Sequence, residues 1–185
     1  NAATGEWLAF LDADDEWHPK KLSTSMDAIR RHNLVLVSHN YYRIDKTSKK
    51  PIFCSTRFEA ATNPYRGLYR KGFIATSSVV VLRDAVLSVG GFDETLKTAQ
   101  DFDLWLKILK KEHTRFRVEP DFLMNYFVTP GSITNQTSRR LDCTLRIAIN
   151  YAPSCIDLHF RIFNIHYEAI NASLSKGHIF NAMYY

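Results

Sequence analysis

Trp7-Leu8-Ala9-Phe10-Leu11-Asp12-Ala13-Asp14-Asp15 carries five apolar residues straight into a cluster of carboxylates. An apolar run without polar alternation reads as a strand covered on both faces, as in the parallel sheet of an α/β protein. The carboxylates then stand at its C-terminal end, the edge at which open α/β sheets bind ligands. Two acids separated by one residue point to the same side of an extended segment, so Asp12 and Asp14 can share a partner. Like charges this close need a cation to stay ionised together, and a partial shell of hard oxygen ligands with room for phosphate oxygens suits Mg²⁺ or Mn²⁺. The competing reading is a solvated acidic turn, because Asp favours turns and helix starts for local reasons. A calcium loop of the EF-hand type does not fit: it needs glycine at its sixth position, where counting from Asp12 the chain has Trp17.

With 185 residues, 45% hydrophobic and 13% aromatic, the chain has the composition of one globular domain, not of a disordered segment. A net charge of +5 suits anionic substrates or an anionic membrane surface. No compact basic tract or nucleic-acid motif is present, so no nucleic-acid partner is expected. Cys54, Cys143 and Cys155 are odd in number and irregular in spacing, which points to a reducing, cytoplasmic compartment. The sequons at Asn135 and Asn171 are then accidental. There is no signal peptide and no apolar run of about 18 residues, so no membrane span is expected. Lacking an initiator Met and starting one short loop before its first strand, the chain reads as a piece of something longer.

Further along, the pattern predicts a helix over 19–32 with Leu22, Met26 and Ile29 on its inward face, and a strand over 34–37 extended by the polar-aromatic run to Tyr42. A surface turn follows over 45–51, then a loop-rich excursion over 52–72. Its Arg57, Tyr65, Arg66, Tyr69, Arg70 and Lys71 read as an anion-facing set or as a solvated face. A second strand is predicted over 74–82, a short helix over 83–89 stopping at Gly90-Gly91, and a helix over 98–110. In that helix Phe102, Leu104, Trp105, Leu106, Ile108 and Leu109 form an apolar arc containing Asp101, while Asp103 falls opposite as a solvated partner of Lys107. An inward carboxylate in a first helical turn is costly without a partner or a job. Asp101 is therefore either a proton-accepting base, held ionised by the helix dipole, or half of a capping box with Thr98.

Two short strands around Pro120 and a turn over 129–132 precede helices over 138–153 and 154–175. The last helix carries Ile156, Phe160, Phe163, Tyr167, Ile170 and Leu174 on one stripe, and Leu158, Ile162 and Ile165 on another side. Packing against its own domain is the first reading. Other candidates are the rest of a longer protein, a homodimer, or peripheral membrane contact helped by Arg139, Arg140, Arg146 and Arg161.

Three ordered blocks now carry a family resemblance. The segment from Asn1 to Pro19 resembles the DxD block of family 2 inverting glycosyltransferases of the GT-A fold. Thr76-Ser77-Ser78, then Gly90-Gly91-Phe92-Asp93-Glu94, then Gln100-Asp101-Phe102-Asp103-Leu104-Trp105-Leu106 resemble the acceptor-side block and base motif of the same family. The resemblance fades after Thr134. It implies an α/β architecture, a partial GT-A mixed sheet flanked by helices over 1–134, with a C-terminal helical extension over 135–185. It implies a nucleotide-diphosphate sugar donor held through Mn²⁺ or Mg²⁺ on Asp14 and Asp12, with Asp12, Asp15, Thr76 and Ser77 on the donor side. It implies Asp101 as general base, with Gly91, Phe92, Gln100 and Trp105 toward a glycan or lipid-linked acceptor. The implied setting is bacterial surface polysaccharide or lipid-linked glycan synthesis, at the inner face of the membrane.

Three departures stand out. Gln100 replaces the usual Glu, Thr129 stands where many relatives have His, and the strands that usually precede the DxD block are not in the sequence. These leave a noncatalytic glycan-binding or assembly module as the alternative, and a nucleotidyltransferase on a related fold as a more distant one. The expectation is that the 185-residue chain alone transfers no sugar, and detectable transfer by it would contradict that.

Overall fold

The computed structural model describes residues 2–110, 115–129 and 137–175, with backbone only at 137–140 and 175. The Pro130-Gly131-Ser132 part of the predicted turn, the boundary at 134, most of the Asn135 sequon, and the side chains of Arg139 and Arg140 lie outside the described residues.

The sheet is built on β3 (Leu36–Ile44), not on the opening apolar run. Leu36 to Asn40 are buried without interruption, the mark of a strand covered on both faces. The long β6 (Phe116–Phe127) runs parallel to one edge of β3. On the other edge β5 (Val80–Leu82) and β4 (Lys49–Ile52) pair antiparallel, end to end. β1 (Trp7–Ala9) pairs antiparallel with β5 and β2 (Glu16–Trp17) with β6, giving the order β1-β5-β3-β6-β2. The expectation that residues 7–11 form a doubly covered parallel strand is therefore corrected. β1 is an edge strand of three residues, and Leu11 is 49% exposed. Apolar content measured the strand but not the number of its neighbours.

The two strands expected around Pro120 are one strand. The register of β3 against β6 shifts between His39 and Asn40, and Asn40 Nδ2 donates to the Pro120 carbonyl at 2.8 Å. Proline cannot donate to a ladder, and an irregularity of this kind accommodates it. The predicted turn over 45–51 is shorter than expected, because β4 begins at Lys49. The predicted strand over 74–82 is strand only from Val80, after a 3₁₀ turn at Thr76–Ser78.

The loop-rich excursion is two helices, α2 (Cys54–Glu59) and α3 (Pro64–Lys71). The signals were present: Asn63 caps α3 by accepting from the Arg66 N–H at 3.0 Å, and Pro64 fills the first helical position. In α1 (Lys21–His32) the buried residues are Lys21, Ser25, Ala28 and Ile29, while Leu22 is 48% exposed. The inward face is thus rotated from the predicted one, because the Lys21 ammonium reaches the Ser78 carbonyl at 3.3 Å and lies over the Trp17 ring. After α4 (Arg83–Leu87) come α5 (Gln100–Leu109), α6 (Thr137–Tyr151) and α7 (Cys155–Ser175). No helix among the described residues is long and apolar enough to cross a membrane.

The last helix packs against its own domain, the first of the readings given for it. It packs on α3 and α6 through Asp157, Arg161, Asn164, Ile165, Ala169 and Ser173. Of its two apolar sets, the longer stripe leaves Ile156, Phe160, Phe163, Tyr167 and Leu174 exposed, and Ile165 of the other is buried. Ion pairs decide the face. Asp157 Oδ1 accepts from Arg66 Nε and Arg70 Nε, each at 2.6 Å, and Arg161 donates to the Arg70 carbonyl. Arg66 and Arg70 thus belong to the scaffold, as do Tyr65 and Tyr69, whose hydroxyls donate to the carbonyls of Tyr151 and Ala148.

Burial pushes the Asp157 carboxyl up, but hydrogen bonds from Arg66, Ser154 and Arg70 outweigh it and hold the group below the usual carboxylate range. A depressed carboxyl contributes stability above its unfolded pKa, about 3.9, and loses it as pH falls through the folded value. Hydrogen exchange in α7 should therefore stay protected across about pH 5–8 and loosen only below about pH 4. Because the arginines are partly exposed, Asp157→Ala should cost about 2–3 kcal/mol, read by denaturant unfolding.

Candidate active site

A single short turn assembles the site. Val79 carries the chain into β5, and the Thr76–Ser78 turn before it leaves its side chains at the end of β1. Ser77 Oγ accepts the Asp12 backbone N–H at 3.0 Å, and the Ser77 carbonyl accepts Trp17 Nε1 at 2.8 Å. The Ser78 carbonyl accepts the buried Lys21 ammonium, and Ser78 Oγ lies 2.6 Å from Ser38 Oγ on β3. Thr76 Oγ1 donates to Asp101 Oδ2 at 2.7 Å. One tripeptide therefore ties the DxD segment, the sheet and the start of α5 together.

Asp101 sits in the first turn of α5, half-buried, its other oxygen accepting the Phe102 N–H at 2.8 Å. The capping-box reading is overturned: Ala99 is the N-cap, no side chain caps it, and Asp101 bonds to Thr76, not to Thr98. Ala99 is left-handed, at φ 60°, a conformation that costs an alanine roughly 1 kcal/mol. That kink aims Asp101 into the cleft.

The three acids of the DxD segment differ. Asp14 is exposed and its Oδ2 accepts Thr129 Oγ1 at 3.0 Å, so the residue standing where relatives have His does reach the acid. Asp15 is buried, and its Oδ1 accepts the Phe127 N–H at 3.2 Å. Asp12 opens onto a cleft of about 960 Å³ that Asp101 also lines. Desolvation raises the Asp12 carboxyl first, then the charges of Asp101 and Asp14 raise it further, against the Ser77 hydroxyl. These carboxylates are close enough to repel, which is the electrostatic demand that a cation relieves. Among the described residues no group of three or more His, Cys, Asp or Glu side chains is arranged to hold a metal. Asp12 and Asp14 therefore fit only an ion that brings the rest of its shell from phosphate oxygens and water.

Around them Phe92 is exposed at the cleft wall and meets Phe10 edge-on. Gly91 turns the chain at φ 72°. Gln100 lines the cleft while its Nε2 donates to the Leu96 carbonyl at 2.9 Å, a bond an ionised Glu cannot make. Two predicted positions move. Trp105 is fully buried against Phe10 and is not among the residues that line this cleft, and Asp103, expected in solvent, is buried beneath Tyr151 while keeping its ion pair with Lys107 at 2.8 Å. A helical wheel drawn without α6 leaves Asp103 bare. Sequence reasoning passed over Lys21, and it left Arg57 and Lys71 undivided from the scaffold arginines, though both line the cleft.

Residues 1–88 match the sequence pattern of the family described as Glycosyl transferase family 2; Asp101 lies beyond the match. Amylovoran biosynthesis glycosyltransferase AmsB of Erwinia amylovora is 33% identical over 113 residues, 57% of this chain and 36% of that protein. The Escherichia coli protein UDP-Glc:alpha-D-GlcNAc-diphosphoundecaprenol beta-1,3-glucosyltransferase WfaP is 27% identical over 171 residues, 91% of this chain and 63% of that one. The chain thus spans between a third and two thirds of these relatives. Among solved structures, S. aureus TarS 1-349 in complex with UDP-GlcNAc matches with a TM-score of 0.60 at 16% identity, over 90% of this chain and 50% of that one. Mannosyltransferase PcManGT from Pyrobaculum calidifontis in complex with GDP-Man and Mn2+ matches with a TM-score of 0.57 at 18% identity, over 98% and 49%. The fold is that of the GT-A transferases.

Burial brings Lys21 down to about 8. An unfolded lysine keeps its proton to about pH 10.4, so between these values the unfolded chain binds more protons and stability rises with pH. Wild type should therefore gain thermal stability relative to Lys21→Met between about pH 7 and about pH 9.5. Parallel pH profiles would contradict the buried charge.

Proposed function

We propose that this chain is the acceptor-side part of a family 2 glycosyltransferase that moves a sugar from a nucleotide-diphosphate donor to an acceptor hydroxyl, with inversion. Residues 1–134 form the catalytic part in this reading, and 135–185 a helical extension. The observation that carries it is the meeting of Asp12 and Asp101 in one cleft, joined through the Thr76–Ser77 turn.

In the proposed mechanism Asp14 and Asp12 hold the divalent cation, which when bound neutralises charge developing on the leaving diphosphate. Asp12 and Asp15, with Thr76 and Ser77, position the donor. Asp101 Oδ takes the proton from the acceptor hydroxyl as that oxygen bonds to the anomeric carbon and the bond from that carbon to the diphosphate breaks. The Thr76 hydroxyl and the Phe102 N–H fix the carboxylate for this transfer. No nucleophilic side chain is required. Phe92 and Gln100 line the acceptor approach; Trp105 is not part of it. A glycan or lipid-linked acceptor is consistent with the names of the AmsB and WfaP relatives, and action at the cytoplasmic membrane face fits a lipid-linked one.

A protein extended upstream of Asn1 is the enzyme to assay. Asp101→Asn in it should lower kcat by about 10²–10⁴-fold while calorimetry shows Mn²⁺-dependent nucleotide-sugar binding intact. Asp14→Asn should abolish that binding. Unchanged turnover in Asp101→Asn would overturn the assignment of the base. Absence of any turnover in the folded extended protein would favour the noncatalytic module, a reading to which the structural bond of Gln100 lends some support.

A further inference from the structure

The cleft has a second wall that the proposed reaction does not use. Arg57 on α2, Lys71 at the end of α3 and Arg161 on α7 line it, in a cleft that Asp93, Glu94 and Glu168 line as well as Asp12 and Asp101. Packing fixes their distance from the base. The Arg161 guanidinium lies 5.0 Å from the centre of the Phe102 ring, next in sequence to Asp101. On the same ring rests Gly72, where a Cβ would come within 3.4 Å of the aromatic carbons, so Lys71 is carried up to the cleft by a glycine that lets α3 approach. Arg161 and Lys71 thus sit around the ring that follows the proposed base in sequence, and Arg57 lines the same cleft. Arg57 and Lys71 are exposed, and neither has an ion-pair partner among the described residues. This contrasts with Arg66 and Arg70 on α3, which are spent on Asp157. Cations gathered in a concave, partly apolar site raise the local concentration of anions, and guanidinium and ammonium together match phosphoryl oxygens.

We propose that Arg57, Lys71 and Arg161 form a subsite for a phosphoryl group carried by the acceptor, placed so that the acceptor's sugar hydroxyl reaches Asp101. The identity of that anion as part of an acceptor rests on the transferase reading; its binding does not. The phosphoryl group is either the diphosphate of a lipid-linked sugar or a free phosphate, and the probes separate them.

The test is calorimetry on the full chain in EDTA, so that no metal bridges a phosphate to Asp12 or Asp14. The probes are decyl diphosphate, inorganic pyrophosphate and decyl glucoside. Decyl diphosphate should bind, decyl glucoside should bind at least tenfold more weakly, and Arg57→Gln/Lys71→Gln should weaken decyl diphosphate at least tenfold. Arg57→Lys/Lys71→Arg should retain most of the binding, which sets charge apart from packing, and unchanged melting temperatures should show that both variants fold. Pyrophosphate matching decyl diphosphate would assign the site to a free phosphate and overturn its acceptor role. Equal affinity for decyl glucoside, or full affinity in the glutamine variant, would overturn the subsite itself. A nucleotide-sugar titration with Mn²⁺ on the extended protein runs in parallel. Its failure beside intact decyl diphosphate binding would sink the transferase reading and leave the anion site standing.

Discussion

The structure depends on the carbonyls and hydroxyls of three consecutive residues, Thr76, Ser77 and Ser78. Ser77 and Ser78 are fully buried, so every polar atom there must find a partner inside the protein. They find them on different elements: the Asp12 amide, the Trp17 indole, the Lys21 ammonium, the Ser38 hydroxyl and, from Thr76, the Asp101 carboxylate. Hydrogen bonds of this kind are individually modest, but leaving one unmade in the interior is expensive. The turn therefore cannot shift without breaking several at once, and the two carboxylates are held in register with each other although no strand or helix connects them directly.

A cost accompanies this arrangement. Lys21 is buried with no ion-pair partner among the described residues, and its charge, after burial itself, holds His39 down at about 3, so that ring is neutral. Ala99 sits in a left-handed conformation. Asp12 is pushed upward by burial and by its fellow acids. These departures from local comfort cluster around the cleft, where strain and unsatisfied electrostatics are commonly concentrated in proteins that act on ligands.

What was legible in the sequence was what is local. The DxD segment and the Asp101 block were read from residue type and short spacing, and so were the helices outside 52–72, whose spans agree with the structure to within a few residues. Burial was not legible in this way, because it depends on which neighbours the chain brings up later. The run from Trp7 to Leu11 looked central and is an edge; the buried strand is β3, whose Ser38, His39 and Asn40 disguised it as half-polar. Asp103 and Trp105 were misplaced because what covers them, Tyr151 of α6 and Phe10 just after β1, is far away in sequence. Arg66 and Arg70 could not be told from Arg57 and Lys71 by composition, since only Asp157, about half a chain-length away, divides them into scaffold and cleft.

α7 shows how far pairing can override hydrophobic patterning. Its inward side is fastened by Asp157 and Arg161, and its outward side carries Ile156, Phe160, Phe163, Tyr167 and Leu174. The two sides answer differently to the solvent. Kosmotropic salts strengthen the association of exposed apolar surface, whereas a pair whose carboxylate is buried, as Asp157 is, is screened little. A concentrated sulfate solution therefore makes this helix adhesive on its outer side while its inner fastening stays in place, so salting-out draws folded molecules together through α7.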